Sequence, residues 1–121
     1  MFNIVLGVPE FEKLWNDLLS KYSSNTLSKK EELLFRKLGK AMKKLSNNPK
    51  YPGLHTHEIK ELTDRYKEKV FQSYLENNTP GAGRLYWVYG PGKNEITVIG
   101  VEPHPNDKGN SYKKIALSRK P

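Results

Sequence analysis

The sequence predicts an α+β domain in which an N-terminal strand and an antiparallel helical hairpin pack on a small, mainly antiparallel sheet of three to four strands. Three observations carry this expectation. Apolar residues recur at helical spacing in two early segments, three later runs are rich in β-branched and aromatic residues, and Gly/Pro/Asn clusters separate those runs. A chain of 121 residues is about one ordinary domain, so a single domain over 1–121 is expected.

Phe2, Ile4 and Leu6 alternate before Gly7 and Pro9, which reads as a short strand leading into a helix. Phe11, Leu14, Trp15, Leu18, Leu19 and Tyr22 then keep the i, i+3, i+4, i+7 spacing of an amphipathic helix. Ser28 with Glu31 three positions on is a capping box that opens a second helix, whose apolar stripe is Leu34, Leu38, Met42 and Leu45. Asn47, Asn48 and Pro49 end it.

Residues 50 to 68 show no clear period and are left open. Val70 to Leu75, Arg84 to Tyr89 and Glu95 to Val101 have strand length and composition, and a meander of three sequential antiparallel strands is the simplest arrangement. The tail from Asn106 to Pro121 fits a short strand or a helix equally.

The formal net charge is +8, which makes a polyanion the natural partner, whether RNA, DNA or an acidic protein segment; solubility alone is the plainer explanation. Residues 26 to 50 hold eight Lys/Arg against two Glu, so most of the excess sits on the second helix. Lys40, Lys43 and Lys44 belong to that basic stretch and suit ribosomal RNA or an acidic partner. The absence of cysteine excludes disulfides, thiolate catalysis and Cys-based zinc sites. With no stretch of about 18 apolar residues and no positive flank at the start, the sequence predicts a cytoplasmic protein without a membrane partner.

Asn48-Pro49, Pro52-Gly53-Leu54, His57-Glu58-Ile59-Lys60, Arg84-Leu85-Tyr86 and the Ile99 to His104 segment follow one another in an order that resembles the RelE/ParE toxin superfamily over nearly the whole chain. The chain departs from that pattern at residues 61 to 69 and 76 to 83, which are longer than the usual connections, and at Glu61, where many relatives have Gly. The catalytic Lys/Arg set of RelE itself is not clearly present, so the likeness is nearer the His-using YoeB-, HigB- and YafQ-like mRNA interferases.

That resemblance implies a RelE-like fold and the toxin of a type II toxin-antitoxin system, a ribosome-dependent mRNA endoribonuclease that uses no metal or other cofactor. Its partners would be the ribosome with mRNA and a cognate acidic antitoxin, in a toxin-antitoxin hetero-oligomer. A ParE-like gyrase inhibitor and a catalytically silent nucleic-acid-binding relative are the alternatives. The cleavage is attack of a ribose 2′-hydroxyl on the adjacent phosphate, which needs a base, an acid and a cation.

By resemblance, His104 is the acid toward the leaving oxygen, and His57 or its neighbour Glu58 takes the 2′-hydroxyl proton. Histidine suits such work because both its protonation states coexist near neutrality. Arg84 would hold two phosphate oxygens in its guanidinium fork, the plainer role being an ion pair with Glu76 or Glu95. Lys108, Lys113 and Lys114 would contact backbone phosphates while Tyr112 stacks on a base or anchors the tail. His55 reads as a bystander and Trp87 as core or its rim. His55-x-His57-Glu58 lacks a third ligand at metal spacing, so no metal is expected.

Overall fold

The computed structural model describes residues 1–6, 9–75 and 83–102, apart from the side chains of Glu10 and Glu102. The element order is β1 (Asn3–Val5), α1 (Pro9–Ser23), α2 (Lys29–Asn47), a 3-10 turn (Pro52–Leu54), β2 (His57–Glu58), α3 (Lys60–Tyr66), β3 (Phe71–Tyr74), β4 (Arg84–Tyr89) and β5 (Glu95–Glu102). Among the described residues three helices and one mixed sheet make it α+β, as the sequence predicts.

The helical hairpin forms where the periodicity places it. Lys21 near the end of α1 meets Glu31 near the start of α2, and Trp15 stacks on Phe35 further down, so the two helices run antiparallel. The capping box is complete: Glu31 N–H donates to Ser28 Oγ at 3.1 Å, and Ser28 N–H donates to Glu31 Oε1 at 2.9 Å. These bonds satisfy two amide donors that the first helical turn otherwise leaves unpaired.

Among the described residues the sheet has five strands in the order β1-β5-β4-β3-β2, where the sequence predicts three to four. The addition is β2, two residues within the open stretch, antiparallel to β3 at the sheet edge. A segment this short has no readable period, and only its pairing with β3 makes it a strand. The expected meander is present as β3-β4-β5, and β1 lies parallel to β5 at the other edge.

Two clusters of buried side chains sandwich the sheet. Phe11, Leu18, Leu38, Leu45, Leu85, Trp87, Ile96 and Val98 form the larger one with the hairpin. Ile59, Leu62, Val70, Tyr86, Val88 and Ile99 form the smaller one, to which α3 contributes Leu62. Alternation along β4 explains the division, with Leu85 and Trp87 in one cluster and Tyr86 and Val88 in the other. Among the described residues no helix is long and apolar enough to cross a membrane.

Candidate functional site

Tyr74, the last residue of β3, is the hub of a polar cluster at the sheet edge. The guanidinium carbon of Arg84 lies 4.8 Å from its ring centroid, the His55 ring 5.2 Å away and the His57 ring 6.4 Å away, edge-on. Register creates this grouping. Tyr74 pairs with Arg84 across β3 and β4, while His57 pairs with Gln72 two residues back along β3, so His57, Tyr74 and Arg84 share one face. Glu58 pairs with Phe71 and so alternates to the other face, which leaves His57, and not Glu58, on the face of Tyr74 and Arg84.

The two histidines are linked through the backbone. His57 Nδ1 lies 2.9 Å from the His55 carbonyl oxygen, and because a carbonyl only accepts, Nδ1 must carry the proton. Neutral His57 is thereby held in the tautomer whose Nε2 is unprotonated and able to take a proton. His55 adopts the left-handed conformation, with φ of 49°, as it closes the 3-10 turn.

A buried network ties this segment to the core. Ser73 Oγ accepts the Trp87 indole N–H at 2.8 Å and shares a hydrogen bond with Thr56 Oγ1 at 2.7 Å. Ser73 and Trp87 are fully buried, so Thr56, between the two histidines, is fixed to a rigid layer. Trp87 is the core residue the sequence predicts.

Arg84 is half-buried and stands opposite Tyr74 on one side and Glu102 on the other. The ion pair with Glu95 is not formed: Glu95 begins β5 beside Asn3, and its carboxylate accepts the Gly92 N–H at 2.9 Å. Glu76 lies outside the described residues.

Tyr74 also borders a cleft of about 390 Å³ between α2 and the 3-10 turn. Arg36, Lys37, Lys40 and Lys44 line it over a floor that includes Leu54 and Leu75. Lys40 and Lys44 fall together because they are four residues apart on one helix. Lys43 is separate: it lines another cleft with Ile4, Leu6, Trp15 and Met42. The basic stretch of α2 is therefore divided between two clefts, and only one of them adjoins the His57–Arg84 cluster.

His104, Lys108, Tyr112, Lys113 and Lys114 lie outside the described residues. Sequence reasoning misses Tyr74, which no motif marks, and reads as a bystander His55, whose ring lies against Tyr74. Among the described residues no three His, Cys, Asp or Glu side chains group in a way that would hold a metal ion.

Comparison of the chain with family models, curated proteins and solved structures finds no match.

Proposed function

We propose that this chain is an RNA-cleaving toxin of the RelE/ParE type that cuts mRNA on the ribosome without a metal ion and is silenced by an acidic antitoxin in the cytoplasm. The observation that carries this reading is the shared face of His57, Tyr74 and Arg84 beside a cleft lined by four cations. The order of elements along the chain, the Asn48-Pro49 helix end and the sequence motifs support it as well.

His57 Nε2 takes the proton of a ribose 2′-hydroxyl as the 2′-oxygen bonds to the neighbouring phosphorus. The bond from phosphorus to the 5′-oxygen breaks, leaving a 2′,3′-cyclic phosphate, and an acid returns a proton to the departing 5′-oxygen. His104 is the sequence candidate for that acid, two positions beyond Glu102, the register partner of Arg84. The Arg84 guanidinium offsets the charge that grows on the phosphate oxygens. The cations of α2 hold flanking phosphates or the antitoxin.

The test is to express wild type and an Arg84→Ala/His57→Ala variant from a tightly controlled promoter, follow growth and map mRNA 5′ ends. The expected result is growth arrest with new ends inside translated codons for wild type alone. Arrest by both proteins without new ends would replace the nuclease with an inhibitor of another target, such as DNA gyrase.

A further inference from the structure

We propose that a second cleft, which shares His57 with the His57–Arg84 cluster, is a stacking pocket for one nucleobase of the single-stranded RNA whose phosphate lies at Arg84. The inference rests on the RNA-cleaving reading for its substrate and on separate observations for its chemistry.

The cleft has a volume of about 370 Å³, within the range of roughly 300–1,000 Å³ usual for ligand sites. The 51–55 turn separates it from the basic cleft, since Gly53 and Leu54 line the basic one and Tyr51, Pro52 and His55 line this one. Its remaining aromatic walls are Phe71, Tyr89 and His57. Among the described residues Lys50 is the one Lys or Arg on its rim and no carboxylate lines it, so it suits a flat group attached to an anion.

The rings are held in place before any ligand arrives. Tyr89 packs against Phe2, Phe71 and Trp87 with centroids 5.7, 5.5 and 4.9 Å away, yet it stays 44% exposed. Tyr51 is 43% exposed and lies over Gly53, where a Cβ would stand 2.7 Å from its ring. Only glycine at 53 lets the Tyr51 ring take this position, and Lys44 caps the ring at 5.2 Å. Rigid, half-exposed rings are what base stacking uses.

Continuity selects RNA over an unrelated flat ligand. His57 lines this cleft and its ring also meets Tyr74, which lies against Arg84, so one extended strand can seat a base here and pass a phosphate at the cluster.

The experiment uses the full chain and a 2′-fluoro RNA hexanucleotide, which lacks the attacking hydroxyl, with 2-aminopurine placed at each position in turn. Wild type is expected to quench emission severalfold at one position. Tyr51→Leu should abolish that quenching and weaken binding about tenfold, whereas Tyr51→Phe should stay within about threefold of wild type. An abasic nucleotide at the quenched position should lower wild-type affinity to that of Tyr51→Leu and leave Tyr51→Leu unaffected. Equal quenching and affinity in wild type, Tyr51→Leu and Tyr89→Leu, each with native near-ultraviolet circular dichroism, would overturn the pocket, as would no quenching by wild type. Cleavage of ribose RNA on translating ribosomes is read separately. Quenching without cleavage keeps the pocket and removes the nuclease; cleavage without Tyr51-dependent quenching does the reverse.

Discussion

Tyr74 and Arg84 stand directly opposite each other on β3 and β4, with the guanidinium carbon 4.8 Å from the ring centroid. The guanidinium thus lies over the tyrosine ring. Replacing Arg84 by Lys keeps the charge but loses the planar fork that binds two phosphate oxygens. Arg84→Lys is expected to lower cleavage by about a hundredfold while changing unfolding free energy by about 1 kcal/mol or less. Cleavage by purified protein on programmed ribosomes, alongside urea unfolding, checks both parts.

His57 and Glu58 are adjacent in sequence but alternate across β2, with only His57 on the Tyr74 face. His57→Gln should therefore reduce cleavage by a factor on the order of 10² to 10⁴, the usual contribution of a general base, and Glu58→Gln should leave it within about threefold of wild type. Single-turnover rates for both variants decide this. The opposite ranking would make Glu58 the base.

Lys40 and Lys44 border the cleft beside Tyr74, whereas Lys43 lines a different one. Each cation that contacts single-stranded RNA steepens the fall of log affinity with log salt by about 0.7. Lys40→Ala/Lys44→Ala should flatten that slope by about 1.4, and Lys43→Ala should not change it. Fluorescence anisotropy over a salt series measures it.

Ser73 joins the Trp87 indole to Thr56 in a buried position. Ser73→Ala leaves the indole N–H without its acceptor and should cost about 1–3 kcal/mol of stability. Urea denaturation gives the loss. A larger fall in cleavage than in folded fraction would show that the 55–57 segment had also come loose.

Glu31 is the charged joint of the helical hairpin. Its bonds to Lys21 and to Ser28 hold its carboxyl down at about 2, and the same pair raises Lys21. A carboxyl lowered on folding stabilises the fold above its unfolded value, near 4.3, and loses that contribution as pH falls toward the folded value. Glu31→Gln retains an N3 side chain able to complete the capping box but removes the charge. Wild type should melt above Glu31→Gln at pH 7, with the gap closing from about pH 4.5 and gone near pH 2. Added salt should narrow the gap at neutral pH, because the pair is exposed.

Much of this fold could be read without coordinates where short-range interactions decide it. The Phe11-to-Tyr22 stripe and the Ser28/Glu31 box lie within one or two helical turns, so α1 and α2 follow from neighbouring residues. The strand runs at β4 and β5 were equally plain in composition. By contrast, α3 is seven residues long and has no side-chain cap, and β2 is only two residues, too short for any period to register.

The candidate site divides in the same way. Arg84 and His57 were legible as members of sequence motifs, and Lys40 with Lys44 as a helical pair. That His57 shares a face with Arg84 while Glu58 does not, and that Tyr74 collects them with His55, depends on the register of β2, β3 and β4. Residues 55 and 84 come together only after β3 has paired on both sides. Sequence alone determined α1, α2, the central strands and the excess positive charge, because those depend on residue type and local spacing. Tertiary structure decided which of the charged and aromatic side chains meet, because a one-residue change in strand register would send each of them to the opposite face.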